Sequence, residues 1–436
     1  MGLREVKPRS LVLGTLVGAV MAFALGRMSS RSPDTALMLA AVPALVALVI
    51  ANPGAVVAAT LPASFLTYRL GPAALDVSIA DFTLVCALVV ALSMVSSFGR
   101  TQSGLLRIVT AYEVLMLAVV AEHPTRQAIV EWIHRGGLMA GGVLVGAAIV
   151  RHDKVRLAIR LFVGTAGVFA VASIMASARA GFAPAYPLHV HKNAAGSLIA
   201  MAIALVATAP DPSGIPMRYR RHLYLLLGGG LLATQSRGAI LGLGTVLLIW
   251  AFTQRDNRRL RGLAVLTAIL GAAFVWHSVQ NEIRTDEYGH GPIGTRERQH
   301  AEAWKAYESD TIVGAGIRYY DSNPGLAADG RPSSTVYEAL GESGAVGAVG
   351  LALVAIGPLV ILRRGKSPWA VVGMAVFGAR AVHGVFDIFW VAGPLTLPWV
   401  VVGIAAALEL EHERATSGLE LTESAVDAAA AAPAAP

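Results

Sequence analysis

Along the chain, apolar runs of about 14–20 residues alternate with short polar or basic stretches from Leu11 to Leu408. At 1.5 Å of rise per helical residue, runs of that length approach the roughly 30 Å hydrocarbon core of a bilayer. The pattern predicts helices at about 11–26, 35–51, 55–68, 78–96, 105–121, 137–150, 155–176, 194–209, 223–233, 239–252, 263–276, 345–362, 369–388 and 394–409. The expected fold class is all-α: a polytopic transmembrane helical bundle of 12–14 spans with one large extracytoplasmic loop. Residues 1–276 are expected to form the N-terminal part of the bundle, 277–344 the loop, and 345–410 the C-terminal transmembrane helices. The Ala-rich remainder, 411–436, is expected to be a disordered cytoplasmic tail.

Composition agrees with this pattern. The chain is 55% hydrophobic and only 14% charged, with a mean hydropathy of +0.61, which excludes a soluble domain of this size. The formal charge of +7 could suggest nucleic acid, but the basic residues fall in short loops between apolar runs. They read as topology signals instead, and no nucleic-acid partner is expected. "RHDKVRLAIR" (151–160), "MRYRR" (217–221), "RDNRRLRG" (255–262) and "LRRGK" (362–366) should face the cytoplasm, and the more acidic 277–344 connection the outside. Arg27 and Arg31 run mildly against that rule. The first residues resemble a signal peptide, although so many later spans favour an uncleaved first helix. Cys86 is the single cysteine, so no disulfide framework or thiolate metal site is expected.

Basic clusters flank the apolar segment from Leu223 to Phe252, which carries Gln235-Ser-Arg-Gly238 at its centre. Both ends then lie in the cytoplasm, and the segment must be a hairpin with this turn at its outward tip. Arms of about 11–14 apolar residues reach only roughly 16–21 Å, so Arg237 is expected somewhat below the outer surface. An ionisable group at bilayer depth costs roughly 2.5–3.5 kcal/mol and is a functional hypothesis by default. The plainer alternative is an arginine snorkelling to the headgroups.

Three further polar groups map to the same side. Arg380, His383 and Asp387 are spaced three and four apart, on one helical face, as a catalytic group or as an ion pair joining two helices. In "LHVHKNAAG", Lys192 and Asn193 at a helix start suit a phosphate or sugar, or Asn193 is an ordinary cap. His189 and His191 lack the carboxylates a zinc site would add, so no metal is expected. In the 277–344 loop an amphipathic helix begins near 294, with Arg296 and Arg298 as phosphate clamps or as part of a solvated face.

Together these pieces resemble the O-antigen ligase and O-antigen polymerase superfamily, with motifs in the same order over most of the chain. Arg69 and Asp81 look like its early arginine and helix-starting aspartate, "HKNAAG" like its asparagine–glycine helix start, and "TQSRGAILGL" like its Ser-Arg-Gly turn. "ERQHAEAWKAYESDTIVGAGI" resembles the arginine-led loop helix, and Glu342-Ser-Gly-Ala-Val-Gly347 the Glu-x-Gly-x-x-Gly stretch before the next span. The resemblance implies a metal-independent glycosyltransferase without a cofactor. Such an enzyme moves a glycan from a polyprenyl diphosphate carrier to a lipid or glycan acceptor hydroxyl on the outer face of the plasma membrane. Arg237 would contact the donor diphosphate, with Arg296 or Arg298 as the second arginine. The family usually has a histidine where this chain has Ser333, so the acceptor base is displaced. His383, made more basic by Asp387, is the expected substitute, with His191, His300 or an activated Ser333 next. The rivals are a lipid-linked glycan flippase or transporter, and a non-catalytic scaffold of the same fold.

Overall fold

The computed structural model describes residues 49–70, 77–94, 98–210, 216–253, 258–285, 292–322, 331–387 and 393–430. The helix expected at 11–26, most of that at 35–51, and Arg27 and Arg31 lie outside them. The described helices, in chain order, are α1 (Pro53–Ala63), α2 (Ile79–Met94), α3 (Arg100–Glu122), α4 (Arg126–Arg151) and α5 (Val155–Arg179). They continue with α6 (Lys192–Thr208), α7 (Met217–Thr234), α8 (Arg237–Thr253), α9 (Arg258–Thr285) and α10 (Pro292–Ser309). The last four are α11 (Tyr319–Ser322), α12 (Thr335–Leu362), α13 (Pro368–Val385) and α14 (Thr396–Ala430). One two-residue antiparallel pair, β1 (Arg69–Leu70) with β2 (Val77–Ser78), interrupts the all-α pattern and sets Arg69 opposite Ser78. By length and composition α3, α4, α5, α9 and α12 can cross a membrane, and α1, α2, α6 and α8 are shorter apolar helices. The protein is a multi-pass helical membrane protein.

The remaining expected helices all form, but several boundaries move. α1 stops at Ala63, where the Ser64 hydroxyl donates back to Leu61 O. α4 begins at Arg126 rather than 137, and α12 at Thr335 rather than 345. With α9 running to Thr285, the connection expected over 277–344 is shortened at both ends. α14 continues to Ala430, because its Ala, Leu and Glu residues are strong helix formers whatever their complexity. Residues 431–436 lie outside the described residues.

Close helix crossings hold the bundle together. Gly142 and Gly146 of α4 face Trp399–Gly403 of α14 so closely that a Cβ on Gly146 would lie 2.2 Å from Val400 O. Small residues of this kind let membrane helices gain van der Waals contact where no hydrophobic driving force remains between them. α8 is central, packed on α13, α9 and α6. Gly242 is its point of closest approach to α13, 2.7 Å from Ala379 O if a Cβ were added. One end of the bundle gathers Arg151, Met94 and the α12–α13 turn, where Glu409 accepts the Lys366 and Ser367 N–H groups. The hairpin tip and the start of α12 form the opposite end.

At that opposite end α12 is broken. Gly344 sits at φ 58, ψ −151, a region only glycine enters readily. Residues 311–316 seat in the break: Ala345 N–H donates to Thr311 O (2.9 Å) and Val346 N–H to Ile312 O (3.1 Å). In return Ala315 and Gly316 donate to Gly341 O and Glu342 O, both at 2.9 Å. The two glycine-rich motifs of the sequence are thus two halves of one joint.

Candidate functional site

The turn between α7 and α8 is built by local hydrogen bonds. Gln235 adopts a left-handed conformation (φ 51, ψ 30), and Thr234 Oγ1 donates to Leu231 O and accepts the Ser236 N–H. Gln235 is exposed, whereas Ser236, expected at the outward tip, is buried. The arms are 18 and 17 residues long, so they reach roughly 26 Å rather than the shorter span their apolar cores suggest. They diverge to pack on other helices.

Glycines then gather three helix ends around Arg237, the first residue of α8. A Cβ on Gly196 would lie 2.7 Å from Ser236 Cβ, so only glycine brings the first turn of α6 this close. A Cβ on Gly238 would lie 3.1 Å from His383 Cδ2, which draws α13 against the start of α8. His191, not Asn193, caps α6: its Nδ1 accepts the Asn193 N–H at 3.3 Å. Asn193 is left to face inward.

The result is a cavity of about 70 Å³ whose wall includes Lys192, Asn193, Arg237, Glu282, Arg296, His383 and Asp387. Arg237 pairs with the Glu282 carboxylate from α9. The sequence reading missed Glu282, which lies beyond the apolar run that ends at Trp276 and close to the further acids Asp286 and Glu287. Of the two loop arginines, Arg296 lines the cavity; Arg298 is exposed and donates to Thr295 Oγ1. Burial first, and then Lys192 and Arg296, push His191 below the ordinary imidazole range. His189 is exposed.

Arg380, His383 and Asp387 do share one face. The Arg380 Nη1 group donates to His383 Nδ1 at 2.8 Å, and His383 Nε2 is 3.7 Å from Asp387 Oδ2. A guanidinium can only donate. His383 Nδ1 is therefore the acceptor, and the neutral ring carries its proton on Nε2, toward Asp387. In this geometry the Nδ1 lone pair of His383, the residue expected as the base, is engaged by Arg380.

A second polar group, at the interface of α4 and α12, holds Asp81 and Glu342 away from the cavity. Glu131 accepts from Arg135 Nε (2.9 Å) and from Arg318 Nη2 (2.6 Å). Arg135 also reaches Glu338 and Glu342 at 3.6 and 3.5 Å, and Arg331 binds Glu338 at 2.7 Å. His134 Nε2 meets Asp81 Oδ1 at 3.0 Å. Arg318 and Arg331 are thus latched onto the helices, and these carboxylates hold both above the ordinary guanidinium range against the opposing effect of burial. This network reads as structural glue. Arg69 contributes backbone to β1.

Residues 222–352 match the O-antigen ligase family model. The match supports assignment of the chain to the O-antigen ligase superfamily. No curated protein sequence matches the chain. The O-antigen ligase match spans Arg237, Glu282, Arg296, Ser333 and Glu342, while the cavity's α6 and α13 residues come from outside it. At the position where the O-antigen ligases usually carry histidine, the Ser333 N–H donates to Gln299 Oε1 at 3.2 Å. Its hydroxyl is buried with no hydrogen-bond partner among the described residues. The neighbouring His300 ring stacks on Tyr337 at 4.0 Å and is pushed below its ordinary pKa by burial and then Arg296. Among the described residues no group of three or more His, Cys, Asp or Glu could hold a metal ion.

Proposed function

We propose that the protein is a membrane glycosyltransferase that moves a glycan from a polyprenyl diphosphate carrier to an acceptor hydroxyl at the extracytoplasmic face of the plasma membrane. The observation that carries this reading is the convergence of Lys192, Arg237 and Arg296 on one cavity with Asp387 in its wall. Displacing a diphosphate from an anomeric carbon leaves negative charge that fixed guanidinium donors stabilise well in a site screened from water. Apart from the Asn193 N–H taken by His191, the first turns of α6 and α8 add helix-start N–H groups that suit an anion.

The proton of the acceptor hydroxyl needs a nearby base. With His383 presenting an N–H, the roles expected for the pair reverse. Asp387 takes the proton as the acceptor oxygen bonds to the anomeric carbon and the carbon–diphosphate bond breaks. His383, held by Arg380, positions the Asp387 carboxylate. Thr335, whose hydroxyl donates to Asp387 O at 2.8 Å, fixes the backbone at that point.

Purified protein with a polyprenyl diphosphate-linked glycan and an acceptor tests this assignment. Asp387→Asn should lower kcat by about 10²–10⁴-fold while donor binding persists. His383→Gln should cost less. His300→Phe should leave kcat near wild type; a loss there comparable to that of Asp387→Asn would move the base to α10.

A further inference from the structure

We infer that Glu282 sets a charge threshold on the anion cavity, so that phosphodiester headgroups are refused and a diphosphate is admitted. The inference rests on the reading of this cavity as a diphosphate site. Its wall carries Lys192, Arg237 and Arg296 against Glu282 and Asp387. The Glu282 carboxylate is paired with Arg237, where a carboxylate and a phosphate offer a guanidinium the same pair of oxygens. Any anion that uses this arginine must therefore compete with an internal one.

The location explains why competition would be useful. α9 packs on α8 and turns Leu266, Ile269, Leu270, Phe274 and Trp276 outward, so the Glu282 wall is the one next to the bilayer. In a membrane, phospholipid phosphodiesters, each with one negative charge on the phosphate, would outnumber any carrier-linked donor at that wall. An open cationic cavity would fill with them. A ligand of higher charge, reaching Arg237, Arg296 and Lys192 together, gains more from the cations than it loses by displacing or repelling Glu282. A phosphodiester does not.

Binding of two probes to the full-length protein in neutral detergent tests this: inorganic diphosphate, and dihexanoyl phosphatidylglycerol as the phosphodiester. Wild type should bind diphosphate, lose that binding in Arg237→Ala, and bind the phosphodiester weakly. Glu282→Gln should bind the phosphodiester about tenfold more tightly, with a smaller gain for diphosphate, and should become inhibited by anionic lipid. Glu282→Ala gives the same comparison if the glutamine variant does not fold. If neither variant gains phosphodiester affinity while wild-type diphosphate binding remains Arg237-dependent, the threshold is wrong and Glu282 only anchors Arg237. If Arg237→Ala leaves diphosphate binding unchanged, the diphosphate reading of the cavity fails and the inference falls with it.

Discussion

Arg237 occupies the first turn of α8, half-buried, with a carboxylate partner and two further cations around it. A snorkelling anchor would need neither the partner nor the cavity. Arg237→Ala should abolish transfer in protein that still reaches the membrane folded, and Arg237→Lys should also be poor because lysine lacks the planar fork. Transfer assays normalised to folded protein check this; near-normal rates in the alanine variant would return Arg237 to an anchoring role. His300 supplies a pH dependence. Burial and Arg296 hold it below its ordinary value of 6.5, so the undocked ring takes up a proton first as the pH falls. Docking of α10 on α12 should be complete above that value and weaken as pH drops through it. Amide exchange across α10 should show protection falling with acidity in wild type, and a flatter profile in His300→Phe, which keeps the stack on Tyr337.

At the scale of elements, the joint between residues 311–316 and the break in α12 is the most demanding piece of backbone. Gly344→Ala would put a Cβ 2.4 Å from Ile312 O at a φ and ψ that cost roughly 1–3 kcal/mol for other residues. Folded yield and melting temperature should both fall. The network beneath the joint behaves similarly: Arg135→Ala would leave Glu131 to Arg318, Glu338 to Arg331 and Glu342 only to Arg331 at 3.9 Å, a loss of up to about 3–5 kcal/mol for a buried ion pair broken on one side. The same residues show where sequence reading works and where it stops. Apolar periodicity located the helices, because lipid-facing and core-facing positions alike are apolar. It cut α4 and α12 short at Glu131, Arg135, Glu338 and Glu342, since a hydropathy window sees charge and not its neutralisation by a partner distant in sequence. The i, i+4 spacing of Glu131 with Arg135 was a visible sign of local pairing, whereas the Arg318 and Arg331 contacts become legible only in three dimensions. Likewise the 3,4 spacing brought Arg380, His383 and Asp387 onto one face. Which nitrogen of His383 is engaged depends on a side-chain geometry that no spacing encodes.

For the whole molecule, the account requires the cavity end to face away from the cytoplasm, as the basic loops at the other end imply. Single cysteines at Gln235 and Trp304, in a Cys86→Ala background, should label from outside with an impermeant thiol reagent, and one at Arg258 should not. Ser236 is too buried to serve. Opposite labelling would put the cavity on the wrong face for an extracytoplasmic acceptor. The central claim, transfer of a carrier-linked glycan, is tested most directly by the lipid-linked glycans of cells lacking the protein, separated by membrane leaflet. Carrier-linked product should accumulate in the outer leaflet and clear when the wild-type chain, but not Arg237→Ala, is restored. Accumulation confined to the cytoplasmic leaflet would contradict the account and identify a flippase instead.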